Sequence, residues 1–136
     1  ATLNARNSAQ SKHATAIGNS TVAIGEESLA GGYQSIALGN GSLAFGDSSV
    51  TKGLNCQAMG IRTQAIGDGS HATGYDTIAT GLASHAGGWS SEARTNYSFA
   101  HGAGVKTHSS EQCQTVLGLW NLPTKSRFII GYGSGE

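Results

Sequence analysis

Thr21–Ser48 reads TVAIGEE, SLAGGYQ, SIALGNG, SLAFGDS, four consecutive heptads in one frame. Each opens on Ser or Thr, carries alanine at its third place and glycine at its fifth. The frame extends both ways. Glycine recurs every seven residues from Gly18 to Gly88 and again at Gly102, with Thr95 at the skipped place. Alanine stands two residues before nearly every one, from Ala16 to Ala100, and Thr51 is the one substitute. The unit S/T-x-A-x-G-x-x therefore runs from about residue 5 to 109. Internal periods of this kind decide architecture before any other signal.

A seven-residue period also describes coiled coils, but those need apolar positions carried on good helix formers. Here each heptad would place a glycine in the helix, at about 1 kcal/mol apiece relative to alanine, which excludes it. Collagen needs glycine at every third residue and fails as well. The unit reads instead as a five-residue strand and a two-residue turn. Alternation puts Ser/Thr, Ala and Gly on one face and the two variable residues on the other. A face of such small residues lets two sheets approach closely, and glycine at the strand end suits a tight corner. Two strands and two corners make a 14-residue coil. The expected fold is all-β, a parallel β-roll or solenoid of about seven coils, ~34 Å long at ~4.8 Å per coil.

Composition agrees with a thin, repetitive structure. The 136 residues include 21 glycines and one proline, with 12% charged residues balanced at 8 basic and 8 acidic. That balance argues against nucleic acid, whose binders need a basic face. No run nears the ~20 apolar residues of a membrane-spanning helix, so no membrane insertion is expected. No charged-then-apolar leader opens the chain. The expected divisions are a lead-in or first partial coil at 1–13, the heptad roll at 14–109, and a capping β-hairpin with a flexible tail at 110–136. In that cap, Thr115–Trp120 and Arg127–Tyr132 form two strands around a turn containing Pro123. The repeat ends where its phase breaks: Gly118 lies sixteen residues beyond Gly102, two out of register. With nothing after Glu136 to close the domain, a piece of a longer chain is expected.

Successive heptads face opposite sides, so the variable positions divide by parity. One set is Thr15/Ile17, Leu29/Gly31, Leu43/Phe45, Gln57/Met59, His71/Thr73, His85/Gly87 and Phe99/His101. The other is Val22/Ile24, Ile36/Leu38, Val50/Lys52, Gln64/Ile66, Ile78/Thr80, Glu92/Arg94 and Lys106/His108. Only the second contains Lys, Arg or Glu. Leu29, Leu43, Phe45, Met59 and Phe99 would make an exposed apolar patch of the kind that marks an interface. A parallel homotrimer is expected, with the first set facing the three-fold axis and these five residues in the interface.

Several residues invite chemistry. His71 and His85 share a unit position one coil apart and should stack about 5 Å apart. On a three-fold axis, His71, His85 and the weaker candidate His101 form imidazole rings suited to a metal or an anion, or else serve as packed polar steps. His13 and His108 are expected in solvent. Tyr33, Ile61, Tyr75 and Trp89 each follow a glycine of the first set and share one edge, with Tyr97 offset by one place. Tyr33, Tyr75 and Trp89 suit either sugar stacking or packing against a neighbouring protomer. Cys56 and Cys113 lie about four coils apart, ~19 Å, beyond the reach of a disulfide. Glu26, Glu27, Asp47, Asp68 and Asp76 all sit at turns of a convex roll, so a carboxylate pair for glycoside cleavage is not expected. No phosphate loop, nucleophile elbow, zinc cluster or dinucleotide fingerprint is present. No catalytic residue and no cofactor beyond an axial ion is expected.

The N-terminal units Ser20–Gly25 and Ser35–Gly39 resemble the head repeats of trimeric autotransporter adhesins, which are left-handed parallel β-rolls that trimerise. The later units are similar to bacteriophage tail-fibre and neck-appendage proteins. Their carriers are Ser70-His71-Ala72-Thr73-Gly74 and Ser84-His85-Ala86-Gly87-Gly88, alternating with Thr77–Gly81, then Gln114–Asn121 and Phe128–Gly131. In the phage family such a stretch often precedes a self-cleaving chaperone domain that drives trimerisation. No such domain is present here, which fits a matured product or an excised piece. The phage resemblance implies a structural fibre segment in the virion, assembled in the bacterial cytoplasm, for attachment to a host-surface receptor, in particular a carbohydrate. The adhesin resemblance implies a head on the bacterial cell surface binding host or matrix. A polysaccharide depolymerase fragment is the third reading.

Overall fold

A computed structural model describes residues 7–121 and 128–132. All regular structure among them is β, wound as a parallel solenoid of about eight coils. Nine five-residue strands form one sheet: Thr15–Asn19, Leu29–Tyr33, Leu43–Asp47, Gln57–Ile61, His71–Tyr75, His85–Trp89, Phe99–Ala103, Thr115–Leu119 and Phe128–Tyr132. Seven two-residue strands form the other, from Ser8–Ala9 through Val22–Ala23, Ile36–Ala37, Val50–Thr51, Gln64–Ala65 and Ile78–Ala79 to Glu92–Ala93. All pairing is parallel, and within the heptad region each strand pairs with the one a coil later, as Leu29 with Leu43 and Ile36 with Val50. The two parity sets thus occupy two different sheets.

The expected five-plus-two unit holds for only half of the heptads. In the long-strand sheet the chain stays extended through the glycine to the residue after it. In the short-strand sheet it turns at the glycine: Ser28 N–H donates to the Gly25 carbonyl at 3.2 Å, and Ser42 N–H to Gly39 at 3.2 Å. The serine hydroxyl reinforces each turn, donating to the same carbonyl at 2.6 Å in both coils. Hydroxyls of the other parity reach across instead, Ser35 to the Gly46 carbonyl and Ser49 to that of Gly60, each at 3.0 Å. In these coils the small hydroxylated residue is a buried donor to a corner carbonyl on both sides of the roll, whereas the Ser70 hydroxyl in the same column is buried without a partner.

The core is a column of alanines. Ala23, Ala30, Ala37 and Ala44, then Ala58 onward to Ala100, are fully buried, with the Ser/Thr column beside them. Glycine is required chiefly by close approach between coils. A Cβ on Gly39 would lie 1.8 Å from the Gly53 carbonyl oxygen, and one on Gly46 2.0 Å from that of Gly60. The left-handed corner angle falls mostly on the residue two places later, such as Gln34 (φ 53°), Arg62 (φ 54°) and Ala83 (φ 50°). The expectation that the strand-end glycine supplies unusual angles holds in the long strands, as at Gly46 (φ 136°), where angle and crowding together forbid a side chain; in the short strands, as at Gly39, crowding alone does.

The roll also continues past the phase break. Gly102 pairs with Gly118 and Gly118 with Gly131, so two extra residues bulge within one coil and register is restored. Thr95, the one non-glycine in its column, donates its hydroxyl to the Glu111 carbonyl at 2.5 Å inside that wider coil. Gln114 takes the place of the small hydroxylated residue, is fully buried, and accepts from the His108 N–H at 2.5 Å. The capping hairpin is corrected. Strands do form at Thr115–Leu119 and Phe128–Tyr132, but they pair in parallel and add two more rungs. Arg127, the turn at Pro123 and the tail from Gly133 lie outside the described residues.

Candidate functional site: the outward face of the long-strand sheet

In each long strand the second residue points into the alanine core, so the first and third point out. Two columns result. One runs Thr15, Leu29, Leu43, Gln57, His71, His85, Phe99, Thr115, Phe128; the other runs Ile17, Gly31, Phe45, Met59, Thr73, Gly87, His101, Leu117, Ile130. Neither contains a Lys, Arg, Asp or Glu. Phe45 is 44% exposed and Met59 40%, while Leu29 and Leu43 are half-buried. The largest apolar side chains are thus outside the roll, and the inside is nearly all methyl and hydroxyl.

The lower part of this face is apolar. Gly31 leaves room for the neighbouring ring: a Cβ there would meet Phe45 Cε2 at 2.3 Å. Four coils on, Gly87 does the same for His101, whose Cδ2 would lie 2.6 Å from such a Cβ. The expected His71–His85 stack is present, with ring centroids 4.8 Å apart and tilted by 57°. Phe99 continues it, 4.8 Å from His85, and His101 stacks against Phe99 at 6.1 Å. His71 Nε2 is buried and has no hydrogen-bond partner. Burial first, then the neighbouring His71 and His101, push the His85 pKa below the ordinary histidine value. Among the described residues, no three His, Cys, Asp or Glu side chains of one chain converge as metal ligands.

The short-strand face is different in charge. Its Val22, Ile36 and Val50 are half-buried, but Glu92 accepts from Arg94 Nε at 2.8 Å and pairs with Lys106 Nζ at 2.8 Å. Burial raises the Glu92 pKa, and the hydrogen bonds and charges of Lys106 and Arg94 outweigh it, leaving the carboxyl below its usual range.

The edge column reads Tyr33, Asp47, Ile61, Tyr75, Trp89. Tyr75 and Trp89 are adjacent, whereas Tyr33 stands apart by two coils of other residues. Arg62 lies 4.9 Å from the Tyr75 ring centroid, donates to its hydroxyl at 2.9 Å, and pairs with Asp76 at 3.5 Å. Trp89 meets Trp120 edge-on at 5.6 Å. Trp120 was hidden from sequence reasoning because the inserted residues shift its heptad phase. Tyr97 is corrected: it sits at the opposite corner, donating its N–H to the Leu82 carbonyl at 2.8 Å. Asp68 accepts from the Leu54 N–H at 2.8 Å, so that turn acid serves the backbone. Cys56 is buried, Cys113 exposed, and both are free.

The family of YadA head domain repeats matches residues 9–35, 16–42, 30–50 and 58–84, together just over half of the chain. No curated protein and no solved structure matches it. The matched residues include the buried alanines from Ala23 to Ala44 and from Ala58 to Ala79, and the outward Leu29, Leu43, Phe45 and Met59. The chain belongs to the YadA head domain repeat family, the head repeats of bacterial surface adhesins.

Proposed function

We propose that this chain is a non-catalytic attachment head that works as a parallel homotrimer, with its long-strand sheets towards the three-fold axis. The observation that carries the reading is the uncharged face of the long-strand sheet. Full burial of a Leu, Phe or Met side chain contributes about 1.5–3 kcal/mol. A core of alanine and serine offers little of this, while Leu29, Leu43, Phe45, Met59 and Phe99 lie outside it. Burying them against copies of the same chain supplies what a thin roll lacks. The short-strand sheet, with Lys52, Glu92, Arg94 and Lys106, suits solvent. Three copies would multiply weak contacts to a host-surface receptor. The exposed aromatics Tyr33, Tyr75 and Trp89 favour a carbohydrate as that receptor.

The family match favours the bacterial cell surface as the setting. A phage tail fibre or appendage is the second reading, favoured by the alternating His units and by the closing segment, which lies beyond the matched residues. Light scattering coupled to size exclusion tests the assembly. A mass three times 13.8 kDa that persists on dilution supports it, and a folded species at 13.8 kDa refutes it. Antibodies against the roll separate the settings by labelling either bacterial cells or purified virions.

A further inference from the structure

We propose that the His71 and His85 imidazoles of three assembled copies hold one borderline divalent transition-metal ion, of the zinc or nickel class, on the three-fold axis. This rests on the homotrimer reading above. Parallel register sets the two residues directly opposite each other on adjacent rungs, with ring centroids 4.8 Å apart. The pair is bounded in its column by Gln57 and Phe99, so the imidazoles of this column occupy two adjacent rungs and no more.

His71 Nε2 is buried with no partner in the single chain. A buried, unpaired polar nitrogen is costly, and turning the ring so that Nε2 faces the three-fold axis would give it a partner. No charged group stands in either outward column to satisfy it. The neighbours are Gln57, Thr73, Phe99 and His101, with Met59 one rung away. Without carboxylates the face does not suit calcium or magnesium, which take oxygen ligands. Imidazole nitrogens suit zinc, nickel and copper. Two imidazoles are fewer than such an ion requires, and no third ligand converges within one chain among the described residues. Three-fold symmetry brings six, so the site is complete only in the assembly.

Zinc is the probe. The chain is stripped with a chelator, its mass is measured by light scattering, and Zn2+ is titrated by calorimetry. The expected result is a trimer that binds one ion per three chains in a saturable phase. The double variant H71Q/H85Q keeps the trimeric mass and loses that phase. Glutamine already stands in this column at Gln57, so the substitutions suit the sheet. Cobalt(II) absorption on the unaltered trimer gives a second readout that needs no variant: a chelator-reversible nitrogen-ligand spectrum is expected. A stripped trimer that binds no more Zn2+ than the double variant, or binds one ion per chain, overturns this proposal and leaves the assembly standing. A monomer overturns both.

Discussion

The lower and upper parts of the long-strand face share one backbone and differ in chemistry. Around Gly31 the outward side chains are Leu29, Leu43 and Phe45; around Gly87, in the same geometry, they are His85, Phe99 and His101. Inside, both parts have the same fully buried alanines. The inward column and the glycine ladder fix the coil, and the outward columns are free to be apolar in one place and imidazole-bearing in another. Fold is encoded on one face of each strand and interaction on the other.

If that division is right, the inner ladder is equally intolerant in both parts. Gly46→Ala and Gly74→Ala each drive a Cβ to within about 2 Å of the next coil's carbonyl at positive φ. Each is expected to destabilise by at least about 3 kcal/mol, the scale of strain and overpacking combined. Thermal melts by circular dichroism check this, and unchanged cooperative melting in either would break the comparison.

The outward columns should separate the two parts. Phe45→Ala is expected to cost about 3 kcal/mol of assembled stability, the scale of deleting a buried aromatic. Thr73→Ala, in the same column on the histidine-bearing part, should cost about 1 kcal/mol or less. Dilution-dependent mass measures both, and equal losses would mean that the face is not graded.

A smaller effect is expected on the short-strand sheet. The Glu92 pKa lies below the ordinary glutamate value, so its stabilisation is present above about pH 4.3 and is lost as pH falls through the lower folded value. Glu92→Gln should therefore lower the melting temperature by a few degrees at neutral pH, with the difference from the unaltered chain vanishing in acid. A difference that persists in acid would assign it to packing instead. The smallest expected effect is a gain. Ala83 holds a left-handed angle, φ 50°, at the corner position that Gly41 and Gly69 occupy in earlier coils. Ala83→Gly should stabilise by about 0.5 kcal/mol, because relief of strain exceeds the added chain entropy. A loss would show that the corner tolerates alanine without strain.

Much of this was legible from the heptad. The frame around Ala30 and Gly32 implied parallel coils, an alanine interior and two distinct faces, and the spacing of His71 and His85 implied their stack. The asymmetry of the coil was not legible, because Gly25 and Gly32 look alike in sequence while only Gly25 starts a serine-closed turn. Nor was the continuation past Gly102: a two-residue bulge shifts the frame, and only the spatial pairing of Gly102 with Gly118 restores it. The same shift concealed the Trp89–Trp120 contact and made Thr115–Leu119 and Phe128–Tyr132 resemble a hairpin.

The central claim is that the long-strand face is buried between copies and the short-strand face is not. Solution mass of Phe45→Lys measured beside Val50→Lys tests it most directly. Val50 already has Lys52 two residues away on its own outward face, so lysine suits that side. The expected result is a single-chain mass of 13.8 kDa for Phe45→Lys and three times that for Val50→Lys. The reverse pattern, or a trimer in both, would contradict it.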